Sequence, residues 1–332
     1  MRIVLVGAGA VGARAARQLH STQATSELVI SDLDEARATT VAASLGEPAR
    51  AVPWREALLD QADAVVLAAA SGTHRILAEA ALERGVDVVS VSDDPEETKQ
   101  LVDLDSEARE RGRTVVVGAG FSPGLTCLLA RHASADLSSV DEVHVAKSGT
   151  GGPACARQHH RALASEALEW RDGAWVRRAA GSGRELCWFP DPVGGLDCYR
   201  AALADPWLLR PAFPDAARIS AKVSASRRDR VTSRLPMLRH PHPDGVLGAV
   251  RVEVRGQRGP ATDARILGAL DRPAVAAGTV AAVAAAWVAE GRLARPGAGG
   301  LAVMVGDPVP FLHDLAQRGV RAAVFEGSQT SS

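Results

Sequence analysis

Lysine is scarce in this chain: Lys99, Lys147 and Lys222 are the only three among 38 Lys and Arg residues. Lys147 opens the stretch Lys147-Ser148-Gly149-Thr150-Gly151-Gly152-Pro153. This reads as a strand end followed by a glycine loop and a helix. Thr150, Gly151 and Gly152 would lead into a helix N-terminus, whose free N–H groups suit an anion such as a carboxylate. Lys147 can anchor such a carboxylate or, if desolvated, act as a base; it can also be a solvated strand-end charge. His159, His160 and Arg161 follow one to two turns into the same helix. Histidine titrates near neutral pH and suits proton transfer, while arginine grips a carboxylate with two parallel bonds. Neighbouring helical residues point about 100° apart, so at most one of the two histidines is expected to face a site squarely. Asp93 and Asp94 end a strand; one can bind a substrate amine, and Asp94 suits the cap of the helix starting at Pro95.

Chemistry at such groups needs something to position, and the first twelve residues, MRIVLVGAGAVG, offer it. Ile3 to Val6 reads as a buried parallel strand and Ala13 to Leu19 as a helix. Between them, Gly7 allows a tight turn, Gly9 lets backbone approach a pyrophosphate, and Gly12 lets helix and strand pack closely. Asp32 lies twenty positions past Gly12, at the end of the strand Leu28 to Ser31. Strand, glycine fingerprint, helix and acidic residue together predict a dinucleotide site built from Gly7, Gly9, Ala10, Val11, Gly12 and Asp32. The Asp32 carboxylate favours NAD over NADP, because it bonds a ribose 2′-hydroxyl and repels a 2′-phosphate. Arg37 is near enough to complicate that choice.

The first third alternates strand and helix, which implies a doubly wound parallel sheet of the α/β class. Helices are expected over Asp34 to Leu45, Thr73 to Arg84 and, as one long element, Pro95 to Arg111. Strands are expected over Arg50 to Val52, Ala64 to Ala68, Asp87 to Val91 and Thr114 to Val117. Small residues Ala69, Ala70 and Ser71 would let a cofactor cross the carboxyl edge of the sheet. A second glycine-rich turn, Gly118-Ala119-Gly120-Phe121-Ser122-Pro123-Gly124, runs into a helix over Leu125 to His132. It can set Gly120 and Phe121 against a nicotinamide, or be an ordinary strand-to-helix turn. Beyond about residue 138 the pattern becomes α+β on a mostly antiparallel sheet. A helix from Pro153 to about Leu168 is expected there, with strands at Glu142 to Ala146, Trp175 to Arg178, Ile219 to Val223 and Leu247 to Val254. Arg227 to Asp244 reads as a loop, Pro273 to Glu290 and Pro308 to Arg318 as helices, and Gly327 to Ser332 as a disordered tail.

Bulk properties narrow the function class. A chain of 332 residues with 46% hydrophobic residues suits two domains with sizeable cores. A net charge of −1 gives no basic surface for nucleic acid or anionic lipid. The cysteines Cys127, Cys155, Cys187 and Cys198 match no zinc spacing, so free thiols and no metal are expected. With a strand starting at residue 2 no leader is expected, and the alanine-rich stretch Ala274 to Ala289 is too weakly hydrophobic to span a bilayer. The expectation is a cytoplasmic protein with a small-molecule substrate.

Four stretches together resemble the saccharopine dehydrogenase-like oxidoreductases. They are VGAGAVG, SVSDD at the end of the fifth strand, VVVGAGFSPGLTCLLARHA, and RPAVAAGTVAAVAAAWVAEGRL with the later FLHDLAQRGV. The resemblance is good over 1–135 and 265–326 and loose between. It implies a Rossmann domain over 1–135, a substrate and dimerisation domain over 136–265, and a carboxy-terminal return over 266–326 packing on the first. It further implies hydride transfer at a carbon bearing an amino or imino group, and a homodimer through the second sheet. Carried onto this chain, the fingerprint and Asp32 would hold the cofactor and 69–72 would line its path. Gly120 to Gly124 would face the nicotinamide, with Gly124 counted among the substrate contacts beside Asp93, Thr150, Gly151, Gly152 and Arg161. Lys147, His159 and His160 are the catalytic candidates. Relatives often carry cysteine where this chain has Ala119. A reductase of another carbonyl or enoyl substrate, or a dinucleotide-binding sensor without catalysis, are the alternatives.

Overall fold

The computed structural model describes residues 1–237 and 241–325. The tail expected at Gly327 to Ser332 lies outside those residues. The first half is strand β1 (Arg2–Val6), helix α1 (Ala10–His20), β2 (Glu27–Ser31), α2 (Glu35–Leu45), β3 (Ala49–Ala51), β4 (Ala64–Leu67), α3 (His74–Glu83), β5 (Asp87–Ser90), α4 (Pro95–Val102), α5 (Asp105–Glu110), β6 (Thr114–Val117) and α6 (Leu125–Ala133). Valine, isoleucine and leucine fill β1, β2, β4 and β5 because helices cover both faces of a parallel sheet. Asp34 caps α2 through the Arg37 N–H, and Asp94 caps α4 through the N–H groups of Glu96 and Glu97. The helix expected from Pro95 to Arg111 is broken at Asp103 and Leu104 into α4 and α5. The break turns Leu104 into the core beside Leu101; both are buried.

The chain then builds a second sheet. Its elements are β7 (Ser139–Ser148), α7 (Pro153–Ala164), β8 (Ala167–Arg171), β9 (Ala174–Arg178), β10 (Glu185–Trp188), β11 (Gly195–Arg200), α8 (Asp205–Leu209), β12 (Arg218–Ser224), α9 (Arg227–Thr232), β13 (Gly248–Arg258) and β14 (Ala261–Asp271). Helix α7 ends at Ala164 rather than near Leu168, because Ala167–Arg171 pairs with β9 and β12 as a strand. Within the stretch expected to be a loop, Ser226 and Asp229 form a reciprocal capping box that starts α9. Residues 238–240 of that stretch lie outside the described ones.

The last segment returns to both sheets. It comprises α10 (Pro273–Ala289), β15 (Gly297–Gly300), α11 (Leu301–Met304), α12 (Pro308–Gln317) and β16 (Ala322–Phe325). Helix α10 packs along α1, and Gly278 sits against the backbone of Ala15 and the Cβ of Arg14. Strand β15 extends the first sheet beside β6, giving the order β15-β6-β5-β4-β1-β2-β3 with every pair parallel. The second sheet runs β10-β11-β12-β7-β13-β14-β16, with β8 and β9 attached at β12. Only its β7–β12 pair is parallel among the described strands. The fold is α/β: a Rossmann-type parallel sheet with a second, mostly antiparallel one. No helix among the described residues is long and apolar enough to cross a membrane.

Candidate active site

A cleft of about 630 Å³ lies along the carboxyl edge of the first sheet, roofed by the second sheet's loops and α7. Its floor begins at the glycine turn. A Cβ on Gly12 would sit 1.8 Å from the Gly7 carbonyl oxygen, so only glycine lets α1 approach β1 this closely. A Cβ on Gly9, by contrast, would meet nothing within 4 Å. Helix α1 has no side-chain cap and no acid in its first turn, so its leading N–H groups are open to an anion. These features fit a dinucleotide pyrophosphate. Ala8 to Val11, Ala68 to Ser71, and Gly120 to Ser122 line the cleft. Gly7 and Gly12 shape the turn beneath it.

Asp32 is tied into the same turn. One carboxylate oxygen accepts from the Ala8 N–H at 2.6 Å and the other from the Asp34 N–H at 2.8 Å. The Arg37 guanidinium stands 3.6 Å from Asp32 and lines the cleft's outer end.

At the inner end, Lys147 and Asp93 meet. Nζ of Lys147 is 3.7 Å from Asp93 Oδ2 and donates to the Ser122 carbonyl at 3.3 Å. The lysine is 7% exposed. Burial works against its charge, yet Asp93, Cys155 and Asp205 around it hold its pKa above the ordinary value. It is therefore an ammonium, not a free base. Burial pushes Asp93 upward, with the nearby ammonium only partly offsetting it. The proton-accepting character of the pair thus lies with Asp93.

Asp205, wholly buried at the start of α8, accepts from Ser122 Oγ at 2.9 Å and Thr126 Oγ1 at 2.6 Å. It fixes the turn whose carbonyl receives Lys147. Sequence reading missed Asp205, since nothing around it marks a motif; only tertiary packing brings it there. It also missed Arg157 and Gln158, which line the cleft beside Arg161, Cys155 and Gly151.

The other candidates fall elsewhere. Neither His159 nor His160 lines the cleft. His160 is on the outside, with Nε2 2.8 Å from the Leu235 carbonyl. His159 is half-buried, and desolvation first and Lys147 second push its pKa down to about 4. Residues 154, 157, 158 and 161 share one helical face, which turns both histidines away from the cleft. Gly124, Thr150 and Gly152 do not line it either. Gly124 has φ +119°, and a Cβ there would meet the Gly120 oxygen at 2.3 Å, so it serves the turn itself. Thr150 accepts from the Val246 N–H, and Gly152 packs against Ala10 and Pro243.

Residues 1–119 match the profile of the GFO_IDH_MocA oxidoreductase family, NAD-binding Rossmann fold. An L-aspartate dehydrogenase from Methanocella arvoryzae is 34% identical over 146 residues, which is 43% of this chain and 52% of the relative. The matched part thus spans about half the length of that relative. A saccharopine dehydrogenase (L-Glu forming) from Saccharomyces cerevisiae superposes with TM-score 0.73 and 15% identity, covering 98% of this chain and 100% of that one. The DAP dehydrogenase of C. glutamicum, solved with DAP, superposes with TM-score 0.51 and 16% identity, covering 96% and 99%. At these identities the structural likeness speaks for the fold. The amino-terminal 119 residues are therefore similar to the NAD-binding Rossmann domain of that oxidoreductase family, on a chain whose whole fold is similar to that of saccharopine dehydrogenase, as its motifs implied.

Proposed function

We propose that the chain is a NAD-dependent oxidoreductase acting at the carbon that bears an amino or imino group of an amino acid. The observation that carries this reading is the pairing of buried Lys147 with half-buried Asp93 at the inner end of the cleft, opposite the glycine turn. Gly9 to Val11 and the α1 N-terminus would hold the pyrophosphate, Asp32 the adenosine ribose, and Ala69 to Ser71 with Gly120 and Phe121 the nicotinamide half. The bound nicotinamide supplies or accepts the hydride. Asp93, with its raised proton affinity, takes the proton from the substrate nitrogen. Lys147 keeps Asp93 oriented and balances its charge, and Arg161 and Arg157 face the cleft as carboxylate partners. A polar, open cleft supports catalysis over a sensor, which would fill this space with apolar side chains. The names of the L-aspartate and DAP dehydrogenases are consistent with an amino-acid substrate. Pairing of two copies through the second sheet belongs to the same reading, and a monomer mass at micromolar protein would end it.

The test follows absorbance at the NADH band with L-aspartate, pooled amino acids, and keto acids mixed with ammonia or amines. Asp93→Asn is expected to lower turnover by about 10²–10⁴ while leaving NAD affinity intact. His160→Ala is expected to turn over as the wild type does. Wild-type rates in the Asp93→Asn enzyme would remove Asp93 from the chemistry. Failure to bind either NAD or NADP would end the enzymatic reading.

A further inference from the structure

Gln158 projects from α7 into the cleft and is 7% exposed. Its Nε2 donates to Asp94 Oδ2 at 3.0 Å, while Asp94 Oδ1 caps α4 by accepting from Glu96 and Glu97. A carboxylate only accepts, so the Gln158 amide must present its nitrogen to Asp94 and its oxygen away from it. That oxygen, Oε1, is buried and has no hydrogen-bond partner among the described residues. A buried carbonyl left without a donor is costly, and native structures rarely keep one without a reason. The orphan belongs to a side chain that lines the cleft, so a ligand can supply the donor.

The position selects the donor. Gln158 bridges to Asp94 in the loop that leads from β5 into α4, and β5 lies two strand spacings, about 10 Å, from β1. A dinucleotide with its pyrophosphate on the β1–α1 turn extends its ribose and nicotinamide across β4 toward that point. We propose that Gln158 Oε1 accepts a hydrogen bond from the carboxamide N–H of the nicotinamide, making this second-domain side chain part of the cofactor site. The inference rests on the NAD reading above and adds a residue to it. Asp94 acts as a positioning residue: its carboxylate sets which way the Gln158 amide faces.

The experiment titrates the full-length protein calorimetrically with NAD and with 3-acetylpyridine adenine dinucleotide. The analogue keeps the ring carbonyl but replaces the N–H donors with a methyl group. Wild type is expected to bind NAD about tenfold more tightly, the effect of stranding one buried acceptor. In Gln158→Leu the two affinities should converge. Asp94→Asn keeps a capping oxygen but presents a donor to Gln158, turning the amide so that Nε2 faces the cleft. It should abolish or reverse the preference for NAD without the loss of side-chain volume, so the inference stays testable if Gln158→Leu folds poorly. No preference in wild type, or a preference that survives both substitutions, overturns the inference while NAD binding itself stands. Binding of neither nucleotide overturns the NAD reading and this inference with it.

Discussion

Replacing Lys147 by methionine keeps the length of the side chain and removes its charge. At 3.7 Å and an effective dielectric of about 20, the attraction to Asp93 is about 4 kcal/mol. Deleting one partner of a fully buried pair costs roughly 3–5 kcal/mol, which is an upper bound here because the Asp93 side chain is 26% exposed. The loss should depend on pH. Asp93 already sits above its ordinary value through burial, and without the ammonium it rises further. A folded-state pKa raised above the unfolded one stabilises the fold below the unfolded value, and that stability is lost as pH rises through the folded value. The deficit of Lys147→Met against wild type should therefore grow as pH rises above the usual carboxylate range. Urea midpoints for both proteins just below the usual carboxylate range and at pH 8 read it, and NADH titration and turnover are measured at the higher pH. NADH affinity should persist and turnover should fall by orders of magnitude. An equal deficit at both pH values, or wild-type turnover, would show that the pair is not a charge pair serving the chemistry.

NADH should bind more tightly than NADPH, because the Asp32 carboxylate at the end of β2 would bond a ribose 2′-hydroxyl and repel a 2′-phosphate. Asp32→Ser should narrow the gap, since Arg37 then keeps only Asp34 as a carboxylate partner at that end; a wild-type titration with the reverse order would reject Asp32 as the selector. His159, with its pKa near 4 in the fold against 6.5 when unfolded, contributes stability above pH 6.5 that is lost as pH falls toward 4. Over that window His159→Gln should flatten the acid loss by about 3 kcal/mol at most, and parallel acid limbs in the two proteins would contradict the desolvation of this ring. Gly278→Ala should lower thermal stability by about 1–3 kcal/mol despite alanine's better helix propensity. Its Cβ would stand 2.7 Å from the Ala15 nitrogen, and backbone cannot step aside as a flexible side chain can; an unchanged or higher Tm would mean α1 and α10 are not locked there.

What the sequence disclosed, and what it hid, follows from how local each signal is. The β1–α1 turn was legible because strand, glycines and helix are contiguous and each glycine answers a local steric demand. Strand β15 was not, because Gly-Ala-Gly-Gly carries no strand preference; its buried place beside β6 is set by the return of the chain. Strands β10, β11 and β14 mix charged and apolar residues on a sheet with one polar face, so no clean alternation marks them. Nothing local marks Gly278 within the alanine-rich helix, yet it is the crossing point of two helices. On α7 the helix was legible but its phase was not. The histidines drew attention by their chemistry, yet rotation of the helix gives the cleft to Arg157, Gln158 and Arg161.

Three carboxylates stand around the cleft, Glu97 and Asp205 buried and Asp93 half-buried, and the difference between them supports the division of labour. Glu97 accepts from the Gly72 and His74 N–H groups at 2.7 and 2.9 Å and from Ser92 Oγ at 2.7 Å, tying the loop after β4 to the loop after β5. Asp205 is held by two hydroxyls and ties the turn after β6 to α8. Both lie outside the cleft lining, and their hydrogen bonds hold its walls in place. Asp93 lines the cleft itself and faces a single ammonium at a distance longer than a normal hydrogen bond. A carboxylate already committed to several donors gives up its oxygens reluctantly, whereas one facing a lone cation across an open cleft can still receive a proton from a ligand. The fold thus spends two buried acids on the shape of the site, so on the proposed reading Asp93 rather than Glu97 or Asp205 is the group whose loss should stop chemistry while the cleft survives.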